Sequence, residues 1–419
     1  MTATGRPVAH SSLRVEERIE VMDVLRGFAL LGILMVNIEG FVGPLMASVT
    51  GLDPALTGAN RVVDGLIYVL AQGKFMPLFA LLFGMGFALM LDRARARGDG
   101  GGALYARRLL GLLGFGIVHA LLLWAGDVLI AYALVGFVLL LLFRQAKAES
   151  LPAWALSFAV IQVGMLLALG LLMQAFSATP EGEAMMAAQA ADARAVLAAE
   201  RQAYGSGTYW QATVQRAKDM GDMLTALPVY GMQILTMFLL GTWLVRAGIV
   251  RDVAAQAPLL RKTIWVGLLV GLPLMLLSAI CMPSLDMDRV DLRAMAWESV
   301  ALMAGILMSL GYAAAIVLAM RRPAWRRRLS WCCAPAGRMA LTNYLMQSLV
   351  CTSIFYGYGL GYFEALPRAW QPLFVVGLFA LQVLLSRWWL ARYRHGPLEW
   401  LWRWITYGTR APMRLSPPA

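Results

Sequence analysis

Long apolar runs, each closed by a short polar turn, fill most of the chain. A helix rises ~1.5 Å per residue, so ~30 Å of hydrocarbon takes about 20 mostly apolar residues. Runs of this kind predict ten spans, at 21–42, 72–91, 103–124, 127–143, 151–174, 226–247, 262–282, 296–320, 338–357 and 370–391. A membrane β-barrel would show shorter segments of strict alternation, and these runs do not alternate. The pattern predicts an all-α, polytopic membrane helical bundle with the lipid bilayer as its first partner.

The polar intervals divide the chain into five parts. Residues 1–20 read as a cytoplasmic arm, 21–174 as a first five-span half and 226–391 as a second. Between them, 175–225 is the one long excursion; its Ala/Glu/Gln-rich first part is helix-prone. Such a segment is either a lid or a solvated spacer. Residues 392–419 form an inner tail. Within it, Pro397 suits a helix start and Leu398, Leu401, Trp402 and Ile405 share a face, which predicts a helix lying in the interface. The final RLSPPA reads as disordered.

Composition sharpens this picture. Of the 419 residues, 60% are hydrophobic and 14% charged, where a soluble domain carries roughly 25% charged. The net charge of +12 does not point to nucleic acid, because its placement follows the turns. Arg93, Arg95, Arg107 and Arg108 crowd one turn, and Arg321, Arg322, Arg326, Arg327 and Arg328 another. The intervening turns hold only isolated cations such as Arg61, Lys74, Arg289, Arg293 and Arg368. By the positive-inside rule both termini are cytoplasmic. The four cysteines lack metal-ligand spacing, so no metal and no bound cofactor are expected.

Candidate chemistry gathers where apolar runs carry ionisable groups, which are expensive in a bilayer. The hairpin at 114–132 holds His119 and Asp127. Asp127 could fix the tautomer of His119, leaving the other ring nitrogen as base or nucleophile. A histidine satisfied by a backbone group or hydroxyl is the competing reading. In the first span, Asp23 and Arg26 are one turn apart: an anchoring ion pair, or a guanidinium facing an anionic ligand. Asn37 follows Arg26 by about three turns on the same face, and Glu39 adds a second polar group near it. Lys74 reads as an interface snorkeller or a functional amine. Thr342, Asn343, Gln347 and Ser348 make the ninth span unusually polar. They either glue helices or line a cavity with His119, joined by Gln233, Trp297 and Glu298. His10 and His395 sit in the polar ends.

The runs MDVLRGFALLGILMVNI, KFMPLFALLFGMGF, RRLLGLLGFGIVHALLLWAGDVLIAYALVG, GRMALTNYLMQS and HGPLEWLWR closely resemble the YeiB-like family, domain of unknown function 418. That family looks like a distant relative of the transmembrane acyltransferases, the acyltransferase-3 and heparan-glucosaminide acetyltransferase group. The resemblance implies a bacterial inner-membrane protein that passes an acyl group from cytoplasmic acyl-CoA to an extracytoplasmic hydroxyl or amine. It matches Asp23 and Arg26 to a D-x-x-R pattern and makes His119 the candidate histidine. His119 would be a general base or transient acyl carrier, oriented by Asp127, with Asn37, Asn343 or Gln347 on the carbonyl oxygen. Two other classes stay open: a proton-coupled secondary transporter, although no repeated halves are evident, and a non-catalytic membrane scaffold.

Overall fold

A computed structural model of the chain describes residues 15–96, 98, 101–285 and 290–415. Residues 1–14, most of the expected arm and including His10, lie outside the described residues, as does Arg289. Every regular element among the described residues is a helix, with no strand beyond two isolated bridges. The helices are α1 (Val15–Val42), α2 (Gly58–Leu70), α3 (Phe75–Ala96), α4 (Gly102–Leu122), α5 (Leu129–Phe143) and α6 (Leu151–Phe176). The excursion supplies α7 (Pro180–Gly205) and α8 (Tyr209–Thr225). Then come α9 (Leu227–Arg246), α10 (Ala257–Val266), α11 (Leu272–Cys281), α12 (Leu292–Ala319), α13 (Pro323–Cys332), α14 (Ala334–Arg338), α15 (Ala340–Phe355), α16 (Gln371–Leu390) and α17 (Pro397–Tyr407).

Each expected span coincides with helix, but the helices are unequal. Eight candidate spans are long and apolar enough to cross a membrane. The fourth and ninth expected spans fall on α5, with 15 residues, and α15, with 16. At ~1.5 Å per residue neither reaches ~30 Å. Both are largely buried in the bundle, with Leu141 and Leu142 near the end of α5 and Leu349 on α15 exposed. The second span is longer than its apolar run: α2 precedes α3, and a turn with Gly73 at φ +75° joins them.

Contacts between turns give the bundle two distinct ends. Arg95 and Arg246 both donate to the Arg144 carbonyl, and Arg326 reaches Glu20. The basic turns therefore share one end with the start of α1, hereafter the basic end. At the other end, the excursion end, α7 and α8 pack on the bundle. The solvated-spacer reading of 175–225 fails here. Glu200 accepts from the Met46 N–H at 3.1 Å, and the Gly357 N–H donates to the Tyr204 carbonyl at 2.7 Å. Arg216 is fully buried and donates to the Leu121 and Leu123 carbonyls at the last turn of α4. A cation on unpaired helix-end carbonyls is favourable twice, by hydrogen bond and by macrodipole.

Of the final segment expected to be disordered, residues 416–419 lie outside the described residues. Residues 413–415 fold back on 392–394, with the Arg394 N–H on the Met413 carbonyl and the Leu415 N–H on the Arg392 carbonyl. The α17 helix does more than lie in an interface. Trp402 packs against Gly111 and donates to the Arg108 carbonyl at 2.8 Å. Glu399 takes the Thr342 N–H and hydroxyl at 2.9 and 2.6 Å. These contacts lock α17 across the basic ends of α4 and α15.

Candidate functional site

The hairpin between α4 and α5 builds the centre of the site. The α4 helix ends as the Leu123 and Trp124 N–H groups both fall on the His119 carbonyl, and the chain reverses through Gly126. Asp127 stands at the start of α5, where its Oδ1 accepts from the Ile130 N–H at 2.7 Å. A carboxylate at a helix N-terminus faces partial positive charge. Its other oxygen, Oδ2, lies 2.7 Å from His119 Nδ1. Gly116, nearly one turn before His119, makes this fit: a Cβ there would meet the Ile130 nitrogen at 2.8 Å and Asp127 Oδ1 at 3.0 Å.

The far side of the imidazole is occupied as well. His119 Nε2 lies 2.7 Å from Ser348 Oγ on α15, and Tyr344, one turn earlier on α15, packs its ring 4.9 Å from the imidazole. With Nδ1 donating to the carboxylate, the neutral imidazole has a bare Nε2 that accepts from the serine hydroxyl. His119 and Ser348 are 0% and 1% exposed. A carboxylate, an imidazole and a hydroxyl thus stand in series inside the bundle. The sequence offered Ser348 as one of a polar run that either glues helices or lines a cavity with His119, and did not single it out from Asn343 and Gln347.

A cavity of about 340 Å³ leads from the basic end toward this series. Arg26, Arg108, Arg338 and Arg403 line it together with His395, and Val128, Tyr132 and Tyr344 line its apolar part. Close helix contact shapes the mouth. Gly337 allows α14 to lie on α1, because a Cβ there would strike the Asp23 carbonyl at 1.8 Å. That approach brings Arg338 beside Arg26, whose Nη1 also pairs with Asp23 Oδ1 at 3.1 Å. Both first-span readings therefore coexist: an ion pair, and a guanidinium facing a cavity. Burial, then the surrounding Arg403, Arg338 and Arg394, lowers the His395 pKa from its ordinary 6.5. A larger cavity of about 510 Å³ is lined almost entirely by apolar side chains of α1, α3, α9, α10 and α12, with Arg93 and Arg251 among its few charges. Neither His119 nor Tyr344 lines it.

Several expected site residues belong elsewhere. Asn343 and Gln347 do not join a cavity with His119. The Asn343 amide donates to the Ala336 carbonyl and Ser386 Oγ, and Gln347 to Gln382 Oε1, so both tie α15 to its neighbours. Positions 343 and 347 lie ~100° round the helix from 344 and 348, which separates the two faces. Glu39 is not beside Asn37 for the same reason, since two residues turn a helix by ~200°; it pairs with Arg368 Nη2 at 2.8 Å. Lys74 does not snorkel: it is fully buried and donates to the Tyr68 carbonyl at 2.9 Å. Gln233 stays on α9 with its amide nitrogen buried and unpaired. Trp297 and Glu298 line a separate cavity of about 90 Å³ with Tyr68 and Gln72. Asn37 alone keeps the expected face. Arg26, Leu30 and Ile33 line the 340 Å³ cavity, and Asn37 extends that stripe by one turn.

Residues 244–409 match the model of the family described as protein of unknown function, DUF418. Over nearly the whole length, the chain is 34% identical to the uncharacterized protein YxaH of Bacillus subtilis, covering 95% of this chain and 96% of that one. It is 33% identical to the uncharacterized protein YeiB of Escherichia coli, covering 94% and 98%. This chain belongs to the DUF418 family. A third relative, an uncharacterized 39.9 kDa protein of Bacillus acidopullulyticus, is 27% identical over 97% of the chain. No solved structure matches. The segment matching the DUF418 model carries Arg338, Tyr344, Ser348 and Arg403, while His119 and Asp127 lie before it. The residue series in this DUF418 protein is thus assembled from both halves of the chain.

Proposed function

We propose that this protein is a transmembrane acyltransferase. It takes an acyl group from acyl-CoA at the basic end and delivers it to a hydroxyl or amine acceptor from the excursion end. The basic end faces the cytoplasm of a bacterial inner membrane, in line with the positive-inside rule. One observation carries the reading: four guanidiniums line a cavity whose far wall, Tyr344, packs on the imidazole of His119. Arginines suit the phosphates of CoA because their planar forks grip oxyanions. The apolar part past them suits a pantetheine arm and a short acyl chain, and it brings a thioester toward a base. Asp127 holds the tautomer in which Nε2 can take a proton. Donor and acceptor arriving from opposite ends would keep the base out of bulk water.

The test uses the full chain in lipid vesicles. Binding of acetyl-CoA, with thiol release that depends on His119, supports the proposal. Well-folded protein that binds neither acetyl-CoA nor longer acyl-CoAs would contradict it. Among other functions, proton-coupled transport fits the buried His119–Asp127 pair, and such protein should then be tested for proton-driven uptake.

A further inference from the structure

His119 Nε2 is not vacant for a substrate, because the Ser348 hydroxyl already occupies it at 2.7 Å. An acceptor using His119 directly would have to displace that serine. Helix glue is the plainer role for Ser348, and its neighbours show what plain behaviour looks like. Thr352 and Ser353 bond back to carbonyls of their own helix, at 2.8 and 2.7 Å. Ser348 turns instead to an imidazole oriented by a carboxylate, the arrangement that activates a serine nucleophile.

Position supports the same conclusion. Leu341 and Tyr344 line the basic cavity from α15, and Ser348 continues their stripe by one turn. On α1, Asn37 continues the facing stripe of Arg26, Leu30 and Ile33; no hydrogen bond among the described residues engages its amide. Tyr344, 5% exposed and packed in the core, stands between cavity and serine with no strong hydrogen bond on its hydroxyl. Its hydroxyl contacts the Gly126 carbonyl and the Val128 N–H, each at 3.4 Å, beyond the usual range for strong bonds.

We infer that Ser348 is a covalent acyl carrier, a role that rests on the acyl-CoA reading above. With Tyr344 displaced, Ser348 Oγ attacks the thioester carbonyl carbon while its proton passes to His119 Nε2. The Asn37 amide donates to the carbonyl oxygen as negative charge develops there. The C–S bond breaks, the CoA sulfur takes the proton from Nε2 and CoA leaves as a thiol, with the acyl group esterified to Ser348. An acceptor hydroxyl or amine from the excursion end then attacks the ester carbon. Its proton passes through Nε2 to Oγ as the C–Oγ bond breaks, restoring the serine.

Two probes separate this inference from the reading beneath it. Vesicle-embedded protein is given acetyl-CoA labelled in the acetyl group, quenched in acid and digested. In parallel it is treated with a fluorophosphonate, which needs an activated serine but no CoA site. The expected result is acetyl label and phosphonate on the peptide containing Ser348. Both should vanish in Ser348→Ala and fall at least ~10²-fold in His119→Ala. Ser348→Cys should restore the acetyl label as a thioester that neutral hydroxylamine cleaves. Thiol release that persists in Ser348→Ala without protein label, or label on His119, overturns the carrier and leaves acyl-CoA use standing. Phosphonate on Ser348 with no acetyl label or thiol release supports the nucleophile and overturns the donor. Neither label in folded protein overturns both.

Discussion

Among the ionic clusters buried in the described residues, two differ in their wiring. In one, Arg368 is enclosed: Nη2 reaches Glu39, Nε reaches Asp64 at 2.9 Å, and Nη1 donates to Gln371 at 2.7 Å. Asp64 is further held by the Asp53 N–H at 3.1 Å. The cluster ties α1, α2 and the start of α16 together and leaves the guanidinium no free side. In the other, Asp127, His119 and Ser348 form an open series that ends in a hydroxyl, next to a tyrosine that walls a cavity. A closed cluster fits a structural pin, whereas an open one fits proton movement. Burial alone does not distinguish them, since all these side chains except Glu39 are almost fully buried.

The contrast can be broken by substitution. The largest effect is expected for His119→Gln, a loss of ~10²–10⁴-fold in thiol release from acyl-CoA with the fold retained; a thiol assay with a melting curve checks both. Next is Arg368→Met, which strands the buried Asp64 carboxylate and the partly buried Glu39 and should cost about 3–5 kcal/mol of stability, read as a lowered Tm. Arg403→Gln or Arg338→Gln should weaken CoA binding by about tenfold each, or about 1.4 kcal/mol, measurable by titration. In each case the opposite assay should change little.

Smaller effects are expected from pH. Burial, then the neighbouring Asp219, pushes the Glu200 pKa from its ordinary 4.5 up to about 8. Docking of α7 therefore gains most below about pH 4.5 and loses that gain as pH rises through about 8. Protease cleavage within 180–205 should rise between about pH 4.5 and 8 and become flat in Glu200→Gln. At the cavity mouth, a bound polyphosphate would raise the lowered pKa of His395. CoA affinity should then increase a few-fold as pH falls from about 7.5 to 5.5, and His395→Gln should remove that slope.

The sequence made the helices legible, because hydrocarbon thickness imposes a length and basic turns impose a side. It also made His119 and Asp127 legible, since a charge in an apolar hairpin needs a partner and the turn puts one close by. Ser348 was legible only as one of a polar run that could face His119, and Arg108 and Arg403 were not legible as part of a site. They come from helices far apart in the chain, and periodicity gives a residue's face without naming the helix it faces. The same gap explains Asn343 and Gln347, whose polarity was visible while their allegiance to α16 was not. No role for Arg216 was visible in the sequence, and only the carbonyls left unpaired by the α4 turn reveal its anchor.

The most direct test of the account is a paired measurement on His119→Gln and Arg368→Gln in the same vesicles, scoring Tm and thiol release from acetyl-CoA side by side. The expected result is a crossed pattern: His119→Gln keeps the wild-type Tm and loses thiol release, while Arg368→Gln loses Tm and, below its melting point, still releases thiol. A fall in Tm as large for His119→Gln as for Arg368→Gln, with thiol release unchanged in the folded fraction, would make the open series a second pin and contradict the account.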